Sequence, residues 1–101
     1  MIKLTVLYGH PTHPEVFESY YTTTHLPLVT DVQGIQRAEL TVFNAEADGS
    51  LPAYYRMAEL YFETQAQMDT AMCSAAGQIL VADIANFASG GVTVLVGHIA
   101  A

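Results

Sequence analysis

Residues 35–62 read IQRAELTVFNAEADGSLPAYYRMAELYF, two apolar and aromatic runs around a polar centre. Ile35 to Phe43 and Tyr54 to Phe62 have the composition of strands. Asn44 to Pro52, with Asp48-Gly49 inside it, is the polar connection between them. Two consecutive strands joined in this way predict an antiparallel hairpin at the middle of the chain. Outward in both directions the pattern is a helix and then one more strand. Ile2 to Tyr8, closed by Gly9, is the first strand, and Val92 to Ile99 is the last. The order is β-α-β-β-α-β. Two right-handed crossovers then give a four-stranded antiparallel sheet of spatial order 4-1-3-2, with both helices on one face. This is the α+β, ferredoxin-like arrangement, and at 101 residues it forms one domain, residues 1–101.

The helices carry their own punctuation. Thr12-His13-Pro14-Glu15 reads as a capping box opening the first helix, with proline in its first turn. Phe17, Tyr21 and His25, spaced by four, share one helical face. Pro27 predicts a break or kink between His25 and Pro27, then an irregular turn to Gly34. Thr64-Gln65-Ala66-Gln67 is a second capping box; Ser74 to Gly77 interrupts its helix, which resumes with Leu80, Ile84 and Phe87 and ends at Gly90-Gly91.

Alternation along the strands separates two sheet faces. Ile2, Leu4, Val6, Ala58, Leu60, Phe62, Val92, Val94 and Val96 suit the helices, and Leu4, Val6, Leu60, Val94, Ile84 and Phe87 are the expected core. The opposite face mixes Leu7, Leu95, Met57, Tyr61 and Phe43 with Thr5, Glu59 and Arg37. It is too apolar to face water, and no helix is left to cover it. A second copy of the chain is the expected cover, which predicts a homodimer. Composition points the same way: 51% of residues are hydrophobic and 13% charged, in a chain too short to bury that much alone.

Net charge is −7, and the cations are Lys3, Arg37 and Arg56. Three separated cations cannot replace the counterions of a nucleic acid, nor hold an anionic membrane surface. No apolar run reaches the roughly 20 residues that span a bilayer. Met1-Ile2-Lys3-Leu4 runs straight into a strand without the pattern of a signal peptide, and Cys73 is the one cysteine. The expectation is a cytoplasmic protein with no disulfide, no membrane and no nucleic-acid partner. There is no glycine-rich phosphate cradle, no dinucleotide signature and no Ser-His-Asp set, so no cofactor is expected.

The stretch Phe17-x-x-Tyr20-Tyr21-x-x-x-His25-x-Pro27-Leu28 resembles the EthD family of small dimeric α+β barrel proteins. Asp83-Ile84-Ala85-Asn86-Phe87 before the last strand is similar to that family's C-terminal signature. The resemblance spans nearly the whole chain. It implies a ferredoxin-like protomer whose dimer forms a barrel, with a small-molecule cavity between sheet and helices. The wider fold group includes cofactor-free quinone-forming monooxygenases, muconolactone-type isomerases and haem-degrading oxygenases, so fold alone does not choose a chemistry.

His25 is the candidate catalytic residue. An imidazole exchanges protons near neutral pH and can move one on a carbonyl or phenol. The alternative for His25 is a half-buried side chain bonded to a carbonyl that Pro27 leaves unpaired. Tyr21, Phe17, Tyr8 and Phe87 are the candidate substrate-binding residues, since an apolar wall with a polar tip suits a small apolar or aromatic ligand. Each of these has core packing as its alternative. His10, His13 and His98 are scattered by the topology, so no metal is expected. Asp83 reads as part of a solvated face, with orientation of His25 or a local cap as its other roles. Cys73 reads as a buried, inert thiol. Two functions fit: a cofactor-independent oxidoreductase or isomerase-like enzyme, or a non-catalytic binding or accessory protein of a degradation pathway.

Overall fold

The structure, a computed structural model, describes residues 1–100. The elements run β1 (Ile2–Tyr8), α1 (Pro14–Tyr20), a π-helical turn (Tyr21–His25), α2 (Leu26–Thr30), β2 (Arg37–Val42), β3 (Arg56–Phe62), α3 (Gln65–Cys73), α4 (Ala75–Asp83), a 3₁₀ turn (Ile84–Asn86) and β4 (Val92–His98). The sheet order is β2-β3-β1-β4, the expected 4-1-3-2 read from the other edge, and every pair is antiparallel. The middle strands are shorter than the sequence runs. Gln36 and Phe43 still extend the β2–β3 ladder by one bond each, from Gln36 N–H to Tyr61 O at 2.7 Å and from Phe43 N–H to Tyr55 O at 3.0 Å.

The helix starts show which local signal wins. Thr64 caps α3, its hydroxyl accepting from Gln67 N–H at 3.1 Å. The capping box expected at Thr12 does not form: His13 is the N-cap, without a side-chain bond, and Thr12 N–H donates to the Ser89 hydroxyl at 3.1 Å instead. Pro14 decides this. A proline prefers the first helical position and forces its predecessor out of the helical region, and His13 is extended with φ −132° and ψ 93°.

The break or kink expected near Pro27 takes the form of a π-helical turn, not an end to the helix. The chain stays helical to Thr30 by widening one turn, with Leu26 N–H bonding to Tyr21 O, five residues back. That wider turn relieves the crowding a proline ring causes at the carbonyl four residues before it. The consequence is functional geometry: Phe17, Tyr21 and His25 all stay turned inward and buried.

The core lies between sheet and helices and contains Leu4, Val6, Leu60 and Phe87 as expected, joined by Phe62, Met68 and Leu80; Ile84 packs against its edge. Val94 departs from the expectation and is 50% exposed. Its register is as read, since Val94 pairs with Val6 and Val96 with Leu4. The helices simply do not extend over the β4 edge, where Val92 and Val96 are exposed too. On the helix-free face Tyr61 is nevertheless buried, because the Arg37 guanidinium lies 4.2 Å over its ring and its hydroxyl donates to Glu39. Cys73, expected to be buried, is exposed at the end of α3.

Candidate functional site

Asp83, the last residue of α4, is buried, not part of a solvated face. A carboxylate at a helix C-terminus meets the unfavourable end of the helix dipole. It is held there by donors from three directions. Tyr20 Oη donates to Oδ1 at 2.6 Å, Asn86 Nδ2 donates to Oδ1 at 3.1 Å, and His25 Nδ1 lies 2.9 Å from Oδ2. Burial alone raises the Asp83 carboxyl, but the bonds from Tyr20, His25 and Asn86 outweigh it and hold it below the ordinary carboxylate value. Asp83 is therefore an anion at neutral pH. The same bond raises Tyr20, whose phenol donates to that anion.

An ionised carboxylate only accepts, so the His25 nitrogen facing it carries the proton. That assigns Nδ1–H to Asp83 and leaves Nε2 as a lone-pair acceptor. His25 is only 4% exposed. Burial lowers its pKa below the usual 6.5, and the Asp83 bond and charge offset this only in part. A neutral, oriented imidazole with one basic nitrogen is the outcome.

His25 lines a cavity of about 260 Å³ between sheet and helices. Its floor is the middle of the sheet, with Leu4, Val6, Ala58, Leu60 and the half-exposed Val94; its roof includes Met68, Met72, Leu80 and Ile84. The sequence alternation placed Val94 on this face correctly, and its exposure is exposure to the cavity side of the sheet edge. Apart from His25, the side-chain N–H and O–H groups on the wall are those of Tyr8 and Tyr21. An apolar cavity of about 150 Å³ holds benzene, so this one has room for a one- or two-ring molecule.

The structure brings Tyr8, Tyr21 and His25 together on this wall. Phe17 and Phe87 stand behind them. Phe87 packs 4.5 Å from the His25 ring and Phe17 stacks 5.5 Å from Tyr21, so both fix the site residues from outside the cavity. Tyr20, Asp83 and Asn86 were not singled out as a set by sequence reasoning. The Asp83-x-x-Asn86 spacing was visible, but only the fold carries it to the first helix. The other histidines are elsewhere: the His10 ring bonds Pro52 O at 2.7 Å, and His98 pairs with Ile2 at the far sheet end. Among the described residues no three His, Cys, Asp or Glu side chains converge as a metal site, and no helix is long and apolar enough to cross a membrane.

Comparison with known proteins places this geometry in a group. The EthD domain model matches residues 9–91, which includes Tyr20, His25, Asp83 and Asn86. An uncharacterized 11.0 kDa protein of the thcB-thcC intergenic region of Rhodococcus erythropolis is 41% identical over 95 residues, 94% of this chain and 91% of that protein. The crystal structure of an ethyl tert-butyl ether d (EthD) family protein from Bacillus halodurans C-125 superposes with a TM-score of 0.92 at 27% identity, covering 99% of both chains. A dimeric protein of unknown function with a ferredoxin-like fold from Bacteroides fragilis NCTC 9343 shares the fold at a TM-score of 0.68 and 10% identity, over 97% of this chain and 95% of that one. The match of the domain model over most of the chain, with the 41% identical relative, shows that this protein belongs to the EthD family.

Proposed function

We propose that this chain is a cytoplasmic, homodimeric enzyme that moves a proton on a small apolar or aromatic metabolite, with His25 as general acid/base. Its chemistry is that of a cofactor-independent isomerase or oxidoreductase. One observation carries the reading: the His25 ring lines the apolar cavity while its Nδ1 is tied to buried Asp83 at 2.9 Å. A purely structural histidine needs partners for its polar atoms, whereas among the described residues Nε2 makes no hydrogen bond. The second reading is a non-catalytic binding or accessory protein, favoured by a wall that is apolar nearly throughout. The homodimer is supported by exposed Leu95 and half-buried Leu7 and Met57 on the helix-free face, and by dimeric proteins that share the fold.

Native mass spectrometry of protein purified from its own host tests the cavity and the dimer together. The expected species has twice the 10.9 kDa chain mass and carries a small organic molecule of one- or two-ring size. A monomer that stays ligand-free at micromolar concentration, with a panel of one-ring aromatics added, contradicts both.

A further inference from the structure

Tyr8 and Tyr21 are each only 1% exposed, and among the described residues neither hydroxyl bonds a carboxylate or a backbone carbonyl. The two hydroxyls lie close enough to interact with one another, and such a pair keeps one proton for a further acceptor. Both belong to the cavity wall, with ring centroids 5.8 Å apart, and Tyr21 lies 5.3 Å from His25. Behind them stands a buried cation. Arg56 pairs with Tyr8 across the β1–β3 ladder, and its guanidinium carbon is 4.3 Å over the Tyr21 ring.

The charge of Arg56 is poorly answered. Its nearest carboxylate oxygen, Glu18 Oε1, is 3.5 Å away, and both Arg56 Nε and Glu18 Oε2 are buried without a partner. A cation over a phenol face makes its O–H a stronger donor. Burial raises both phenols above their ordinary value, and the charge of Arg56 offsets part of that rise.

We propose that Tyr8 and Tyr21, backed by Arg56, form an oxyanion-binding corner, so that the ligand is a weak oxygen acid: a phenol or an enolisable ketone. This rests on His25 being the base of the cavity and names the substrate class it serves. Nε2 takes the proton from the ligand O–H or α-C–H. The bonding pair stays on the ligand and ends as negative charge on its oxygen, to which the tyrosines donate. The imidazolium keeps its Nδ1–H bond to Asp83, and return of the proton to oxygen or to another carbon closes the cycle without a co-reactant. The charge on oxygen is stabilised where it develops. The ionisable groups around the corner are Tyr8 on β1, Tyr21 and His25 on the first helix, and Arg56 on β3. Behind them lie Glu18, Tyr55, Tyr20 and Asp83.

The test uses 4-nitrophenol, whose phenolate absorbs visibly, and naphthalene as a neutral probe of the cavity. Wild type is expected to hold 4-nitrophenol as phenolate at a pH where the free phenol is protonated. Tyr8→Phe and Tyr21→Phe, which remove one oxygen each, should weaken phenolate binding roughly ten- to a hundredfold. Naphthalene affinity should stay within about twofold, since apolar burial is unchanged. Deuterium exchange at the α-carbon of 2-tetralone, followed by NMR, separates ketone from phenol as the natural class; exchange in wild type and not in His25→Gln assigns the ketone. Equal phenolate affinity in the Phe variants, or neutral nitrophenol in wild type, overturns the corner. Naphthalene binding without nitrophenolate overturns it while the cavity stands, and binding of neither probe removes the cavity reading itself.

Discussion

With His25 as the proposed general base, replacing it by alanine is expected to lower turnover about a hundred- to ten-thousandfold and to leave the chain folded. The fold survives because Asp83 keeps its bonds from Tyr20 and Asn86. His25→Gln, which keeps a donor near Asp83, guards against a packing artefact and loses activity equally. Asp83→Asn acts through the imidazole: an amide can donate to Nδ1, which moves the ring proton to Nε2 and points a donor, not a base, at the cavity. Asp83 is thus a positioning residue, and its variant lowers kcat more than it raises KM.

The pH profile follows with its sign. Burial holds His25 below its usual 6.5, so the neutral form, the one proposed to act, dominates at pH 7 and is lost as pH falls through the depressed value. Folding stability moves the same way: a group with a depressed folded pKa stabilises the fold above its unfolded pKa and loses this as pH falls through the folded one. His25 contributes this loss below pH 6.5 and Asp83 a further one below 3.8. Activity that rises steadily with acid, or survives in His25→Ala, contradicts the assignment.

Gly77→Ala destabilises the protein, against the ordinary rule for helices. Gly77 lies in the first turn of α4, where alanine normally gains about 1 kcal/mol over glycine. Here an added Cβ meets Ala71 O at 2.2 Å and Met72 Cα at 2.8 Å. These are backbone atoms of α3, so no side chain can swing aside. The approach is this close because Ser74 ties the two helices, its hydroxyl donating to Ala71 O at 2.6 Å and accepting from Gly77 N–H at 3.1 Å. Overpacking of this kind costs about 1–3 kcal/mol, and backbone atoms place it at the upper end, beyond the propensity gain. Thermal unfolding should show a Tm lower by roughly 5–15 °C. An unchanged or higher Tm means the α3–α4 junction opens freely and leaves the cavity roof, with Met68, Met72 and Leu80, unconstrained.

The sheet order was legible because strand alternation and turn chemistry agreed along β1, β3 and β4. Thr64 announced its helix for the same reason, since its cap is a local bond; the interruption read at Ser74 to Gly77 is the start of α4, which Ser74 caps. At the first helix Pro14 overrode Thr12 locally, and the freed Thr12 amide found a partner in Ser89, far along the chain. The other errors arose where a distant element decided. Pro27 was absorbed by a widened turn, because the inward packing of Phe17, Tyr21 and His25 against Tyr8 and Phe87 outweighs one lost helical bond. Half of the site was readable on one helix, as Tyr21 and His25 at spacing four. The other half sits on α4 and the turn after it. Nothing local distinguishes Asp83 from a surface carboxylate; its burial comes from Tyr20 and His25 lying across from it.

The central claim is that His25 presents an unprotonated Nε2 to the cavity, held so by Asp83. Long-range ¹H–¹⁵N NMR of the imidazoles, titrated with pH, reads this directly. The account predicts the Nδ1–H tautomer for His25 at neutral pH, a midpoint below 6.5, and a change to Nε2–H in Asp83→Asn. An Nε2–H tautomer in the wild type, or a midpoint above 6.5, contradicts it.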